Sequence, residues 1–170
     1  MQSDYFTCYA PSSRGLLLQR AKLLIIDNCE DNTNLLLRLL SKDYKITTAT
    51  TSQQGLQQIN KGDYPDIILL AISGETGSDL DLFHCLVKNS RTKEIPVILI
   101  ANRYDVDIEI QGLSLGAVDY IIKPLHILVI KARINKQLTA KRRVDRLRYL
   151  ADIDPLTLIP NRRSFEISLQ

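Results

Sequence analysis

The chain contains a short, almost wholly apolar segment, Pro65-Asp66-Ile67-Ile68-Leu69-Leu70-Ala71-Ile72-Ser73. Six apolar residues in a row after a proline are too few for an ordinary helix and predict a buried strand. The strand is predicted to end at Ala71, before a loop that contains Gly74 and Gly77. In open α/β sheets the reactive groups lie at the carboxyl ends of the strands. We therefore expect the methyl group of Ala71 at a position where chemistry is ordinarily found.

Four other segments predict strands: Lys22–Asp27, Tyr44–Thr50, Ile95–Ala101 and Val118–Ile122. Helical patterns follow the strands: one with Asp31 or Asn32 as N-cap, then Thr51–Lys61, Leu80–Val87, Val106–Leu115 and about 28 residues from near Leu125. Alternating strands and helices predict a parallel sheet covered on both faces. Right-handed crossovers then predict a doubly wound sheet, for which the strand order 2-1-3-4-5 is one of two common solutions.

Composition excludes several classes of protein. The 170 residues are 45% hydrophobic and 24% charged, as in globular domains, and no apolar run is long enough for a transmembrane helix. Residues 1–13 lack the pattern of a signal peptide, so we expect a cytoplasmic protein. Cys8, Cys29 and Cys85 are widely spaced, which favours reduced thiols, and His84 and His126 have no neighbours at metal-ligand spacing.

The residues at the predicted strand ends carry a family resemblance. They are Asp27-Asn28, Ala71, Ala101-Asn102 and Lys123-Pro124. With the segments Leu-Leu-Ile-Ile-Asp-Asn, Pro-Asp-Ile-Ile-Leu-Leu-Ala, Ile-Pro-Val-Ile-Leu-Ile-Ala and Gly-Ala-Val-Asp-Tyr-Ile-Ile-Lys-Pro, they resemble a response-regulator receiver domain over about residues 21–140. The resemblance implies the flavodoxin-like receiver fold.

In that family, two acids after strand one and an aspartate after strand three hold Mg²⁺, and the strand-three aspartate accepts a phosphoryl group. By resemblance Asp27 matches the first acid, Lys123 a lysine that contacts the phosphoryl oxygens, and Tyr120 an aromatic switch residue. The second acid, the phosphoacceptor and a hydroxyl residue are replaced by Asn28, Ala71 and Ala101. This degenerate pocket predicts a receiver that cannot be phosphorylated there. We expect no catalytic residue and no Mg²⁺ cofactor, since one carboxylate remains.

Several alternatives stay open at this pocket. Ala71 could be an engineered Asp→Ala change, although this would not explain the other two replacements. Asp27 and Lys123 could form an ion pair without any role in metal binding. Cys29 is a weak candidate for a redox sensor, because the acidic residues around it make a thiol less reactive. Glu75 could mimic a phosphate, but a solvated loop glutamate is the simpler interpretation.

The last predicted helix combines apolar and basic residues. Leu128, Ile130, Ile134 and Leu138 can pack on the sheet or on a second copy, and Val144, Leu147 and Leu150 suit a dimer or linker helix. Residues 131–150 hold eight basic residues and a single acid, whereas residues 1–130 have a net charge of −3. The basic residues could contact nucleic acid or a membrane, but no aromatic residues interleave with Lys141-Arg142-Arg143. We therefore favour a solvated face, with no nucleic-acid and no membrane partner.

Residues 152–165, Asp-Ile-Asp-Pro-Leu-Thr-Leu-Ile-Pro-Asn-Arg-Arg-Ser-Phe, resemble the opening of GGDEF diguanylate cyclase domains, with Leu158 where glycine is usual. Together the two resemblances imply four segments: an N-terminal tail (1–20), a receiver domain (21–140), a helical linker (141–153) and the start of a truncated GGDEF domain (154–170).

We expect a regulatory module of two-component or cyclic-di-GMP signalling, not an enzyme, that forms a homodimer or binds a protein partner to control a GGDEF output domain. Alternatives are the N-terminal part of an active diguanylate cyclase whose receiver senses a ligand or partner, and a receiver inactivated by engineering.

Overall fold

The computed structural model describes residues 20–60, 62–72 and 78–152. The five strands are β1 (Lys22–Ile26), β2 (Lys45–Ala49), β3 (Ile67–Ile72), β4 (Val97–Ala101) and β5 (Asp119–Ile122). The five helices are α1 (Glu30–Leu40), α2 (Ser52–Asn60), α3 (Ser78–Lys88), α4 (Val106–Ser114) and α5 (Ile127–Asp152).

The strands form one parallel sheet in the order β2-β1-β3-β4-β5. The predicted fold class, a doubly wound five-stranded parallel sheet flanked by helices, is therefore confirmed. The register pairs Ile26 with Leu70 and Ile72 with Ala101. The carboxyl ends of β1, β3 and β4 therefore meet at one edge of the sheet.

Alternate residues of each strand point to opposite faces, which gives the sheet two apolar cores. One core packs strand residues such as Ile68 and Leu70 against the helical residues Phe83 and Leu86. The other packs Ile67 and Leu69 against α1 and α5 residues, among them Leu36, Leu40, Ile130 and Ile134. Strands buried on both faces explain the nearly continuous apolar runs of the sequence.

The long last helix is present but begins later than predicted. It starts at Ile127, not near Leu125, and is 26 residues long. Ile130, Ile134 and Leu138 are buried on the sheet, whereas Leu128 is exposed. Leu128 does not pack on the sheet because it lies on the opposite side of the helix from Ile130.

The start of the first helix was predicted wrongly. The helix begins at Glu30, so Cys29 is the N-cap and neither Asp31 nor Asn32 has that role. No side chain caps this helix end. Its apolar face is also narrower than the leucine pattern suggested, since Leu36 and Leu40 are buried while Leu35 and Leu39 are exposed. Strand and other helix ends differ from prediction by one or two residues, as helix and strand ends commonly do.

Some predictions concern residues outside the described part of the chain. These are the tail up to residue 19, the loop residue Glu75 and the GGDEF-like segment from residue 153 onward. Within residues 20–60, 62–72 and 78–152, no helix is both long enough and apolar enough to cross a membrane.

Candidate functional site

The residues at the carboxyl edge of the sheet come together as the strand pattern predicts. Because Ile26 pairs with Leu70, Asp27 lies level with Ala71 on the neighbouring strand. Lys123 follows β5, and its backbone N–H donates to the carbonyl of Ala101 at 2.9 Å. Residues from four strands therefore surround one small area of the surface.

Asp27 and Lys123 form an ion pair across this edge. The Lys123 Nζ atom lies 3.3 Å from Oδ2 of Asp27, and the two side chains are 17% and 2% exposed. The other carboxylate oxygen, Oδ1, accepts a hydrogen bond from the backbone N–H of Cys29 at 2.9 Å. Both oxygens of this buried carboxylate are thus engaged by donors of the protein itself.

The residues at this edge offer few free oxygen ligands to Mg²⁺. This ion needs near-octahedral oxygen coordination and is usually held by one or two carboxylates together with phosphate or water. Here Asp27 is occupied by Lys123, Ala71 offers only a methyl group, and Asn28 is an exposed amide. Among the residues that the structure describes, no group of three or more His, Cys, Asp or Glu side chains could hold a metal ion.

Tyr120 points into the protein beside Ala101. Its ring is buried, and a cavity of about 10 Å³ lies between these two residues, Ile72 and the segment that leads into α4. Within the described residues the hydroxyl makes no hydrogen bond, and the backbone of Asp105 lies close to it. Burial raises the pKa of the Tyr120 phenol, and Glu109 and Asp105 add to this effect. The neutral phenol of Tyr120 therefore borders this cavity, and its neighbour Ala101 has no hydroxyl group.

The other candidate side chains lie beside or outside this cluster. Cys29 is a half-buried free thiol next to Asp27, and Cys85 is an exposed free thiol on α3. His84 is a half-buried residue of α3, and His126 is exposed just before α5.

The predicted dimer or linker residues lie where α5 has left the sheet. Val144 is 46% exposed and Leu147 is 66% exposed. The side chain of Leu150 falls outside the described residues. The domain boundary predicted at residue 140 lies inside this continuous helix.

Several long-range polar contacts could not be predicted from the sequence. Lys141 donates from Nζ to the carbonyl of Asp66 at 3.4 Å, and Arg148 forms an ion pair with Glu94. The Tyr44 hydroxyl donates to Oδ1 of Asn135 at 2.8 Å. Asp105 was also missed; it caps α4 by accepting from the backbone N–H groups of Asp107 and Ile108. An aspartate directly before an apolar helix is a known start signal, so only this last feature was readable in the sequence.

The fold and this strand-end cluster define a signalling receiver domain. Residues 23–135 match the response regulator receiver domain family, so the chain belongs to that family. It is 32% identical over 129 residues to a Vibrio cholerae protein named probable cyclic di-GMP phosphodiesterase, and equally so to the response regulator PleD of Caulobacter vibrioides. A crystal structure of a response regulator receiver domain protein from Clostridium thermocellum has 25% identity and a TM-score of 0.66, covering 73% of this chain and 98% of that one.

The two sequence relatives are much longer than the matching region. The match covers 75% of this chain but only 29% of the Vibrio protein and 28% of PleD. What is shared is therefore the receiver domain, and the activity of any attached domain is a separate question.

Proposed function

We propose that this receiver domain is not phosphorylated at the usual position and controls an output domain through its last helix. The observation that carries the proposal is the pair of residues at the ends of β1 and β3. Ala71 has no nucleophile, and the neighbouring carboxylate of Asp27 is held by Lys123. A phosphoryl acceptor needs a nucleophilic side chain, and Mg²⁺ needs more oxygen ligands than remain. We therefore expect this chain to have no catalytic residue and to need no Mg²⁺ cofactor.

Phosphoryl transfer is tested by incubating the chain with acetyl phosphate and Mg²⁺, and separately with a histidine kinase. We expect an unchanged intact mass and a single band in phosphate-affinity electrophoresis. The triple variant Asn28→Asp, Ala71→Asp, Ala101→Thr is the matched positive control. An acid-labile gain of one phosphate by the unaltered chain would refute the proposal.

The proposed output is a GGDEF domain that begins at residue 154, after a receiver over 21–140 and a helical linker over 141–153. The GGDEF-like residues and the name of the Vibrio cholerae relative both support a cyclic-di-GMP context. The sequence that follows residue 170 in the gene tests this directly. No continuation, or one that does not resemble a GGDEF domain, would contradict this part of the proposal.

We further propose that the last helix forms a homodimer through Val144, Leu147 and Leu150. The exposure of the first two supports this, because apolar side chains at helical spacing are buried when two helices pair. Analytical ultracentrifugation of Leu147→Glu and Leu150→Glu variants is the test. Self-association should weaken in both but not in the control Leu35→Glu, which charges an exposed leucine of α1. A strict monomer at high concentration would contradict this part.

The contacts of the basic residues of α5 speak against nucleic acid or a membrane as a partner. Four of them have acceptors within the chain: Lys131 with Asp43, Arg133 with Asp119, Lys141 with the Asp66 carbonyl and Arg148 with Glu94. Cations engaged in this way are less available to phosphates. We therefore propose a cytoplasmic protein that binds neither nucleic acid nor a membrane.

A second candidate function is a sensor of a small ligand or protein in place of phosphate. The buried Tyr120 hydroxyl favours it, because it has no hydrogen-bond partner among the described residues and can accept one from a ligand. The space beside it, about 10 Å³, holds no more than a water molecule, so a larger ligand requires the surrounding side chains to move. A ligand that binds only the native state raises the melting temperature, so a thermal-shift screen is the test.

A further inference from the structure

The part of α5 beyond the sheet touches the receiver at the edge opposite the phosphorylation-site position. Helices that connect parallel strands run antiparallel to them, so α5 starts at the carboxyl edge and reaches the amino edge of the sheet. Asp66 directly precedes β3 and Glu94 lies in the turn before β4. The Asp66 carbonyl accepts a hydrogen bond from Lys141, and Glu94 forms an ion pair with Arg148. We call these two interactions the edge contacts.

The edge contacts come from one face of the helix. Residues seven apart are separated by about 10 Å along the axis and by only about 20° around it. Lys141 and Arg148 can therefore both face the receiver. The pKa of Glu94 is lowered, chiefly by its hydrogen bond to Arg148, with smaller electrostatic contributions from Arg148, Lys93 and Lys141. Both cations of this helix face thus act on the same carboxylate.

The apolar residues of the same segment lie on a neighbouring face. At 100° per residue, Val144 and Leu147 are rotated by about 60° and 120° from Lys141. They remain exposed while the edge contacts are made. A helix held through Lys141 and Arg148 would therefore present its apolar residues outward in a defined direction.

We propose that the edge contacts act as a regulatory latch, which restrains the extension of α5 against the receiver and favours one direction for its apolar face. Past Leu138 the extension has few buried apolar residues, so these polar contacts are its main attachment among the described residues. An exposed ion pair is weak, which suits a contact that opens and closes under a partner or ligand. The regulatory consequence rests on the proposed role of α5 in output, but the contacts themselves can be tested separately.

The test is hydrogen–deuterium exchange of the whole chain with Glu94→Gln and, in a second variant, Arg148→Gln. We expect amides of residues 142–152 to exchange about two- to five-fold faster, the range for losing one exposed ion pair. Amides of residues 127–138, which pack on the sheet, should be unchanged. The charge swap Glu94→Arg with Arg148→Glu should restore only part of the slow exchange, because Lys93 and Lys141 would then face a cation at position 94.

Asp43→Asn is the matched control. It removes another exposed ion pair of the same helix, with Lys131, but in the segment that packs on the sheet. It should leave residues 142–152 unchanged. Unaltered exchange in Glu94→Gln, or equal acceleration in Asp43→Asn, would overturn the inference. Neither result depends on phosphorylation or self-association, so failure here is distinct from failure of the proposed function.

Discussion

Replacing Lys123 by methionine should destabilise the protein, because it leaves the buried Asp27 carboxylate without its counterion. Methionine preserves the length of the side chain but removes the charge. The carboxylate is 2% exposed and would retain only the backbone N–H of Cys29 as a described donor. Removing one partner of a fully buried pair costs about 3–5 kcal/mol. Lys123 is 17% exposed, so solvent screens part of the loss, and we expect about 2–3 kcal/mol.

Urea denaturation measures this cost. With a slope of about 2 kcal/mol per molar urea for a domain of this size, the midpoint should fall by roughly 1–1.5 M. The control Lys131→Met breaks the exposed pair with Asp43 and should cost less than about 1 kcal/mol.

A double-mutant cycle separates the pair from other effects of the substitution. The variant with both Asp27→Asn and Lys123→Met has no buried charge, so it should be more stable than the sum of the single changes implies. We expect a coupling energy of about 1–2 kcal/mol. A coupling energy near zero, or equal midpoints for Lys123→Met and Lys131→Met, would refute the reasoning.

Three further predictions concern the site and the core. Ala71→Asp alone should accept little phosphate from acetyl phosphate, whereas the triple variant with Asn28→Asp and Ala101→Thr should accept more, as measured by intact mass. Equal phosphorylation of the two variants would instead indicate that Ala71 is an engineered change. Because burial raises the pKa of Tyr120 above its ordinary value of 10.0, the contribution of Tyr120 to the free energy of unfolding should be constant below about pH 10 and be lost as pH rises above that value. Tyr120→Phe should therefore reduce the decline in stability above pH 10, remove one late phenolate transition from the ultraviolet titration and cost less than about 1 kcal/mol in urea. A glycine-to-alanine change inside a helix usually stabilises it, but at Gly112 the added Cβ would collide with the buried Leu99 side chain. We therefore expect Gly112→Ala to lower the free energy of unfolding by about 1–3 kcal/mol in thermal denaturation, and an increase would show that this core can adjust.

Sequence patterns were enough for the order and type of every described element. The buried strands appear as apolar runs because both faces of the sheet are covered. The loops between strands and helices are marked by polar residues, glycine or proline at the same place in the sequence. The strand-end residues were also predictable, since the carboxyl ends of parallel strands share one edge. The pocket at Asp27, Ala71 and Lys123 follows from these two facts, and the structure brings those three residues together there.

The doubly wound sheet and the absence of a nucleophilic side chain at Ala71 therefore follow from the sequence itself, because both depend on residues that are near each other in the chain or at strand ends. Only the tertiary structure decided that Leu36 is buried while Leu35 is exposed, and that Lys141 and Arg148 reach Asp66 and Glu94. These partners are 75 and 54 residues apart in sequence. Their contact depends on how α5 is rotated and inclined on the sheet, which the packing of two apolar cores sets and no local pattern records.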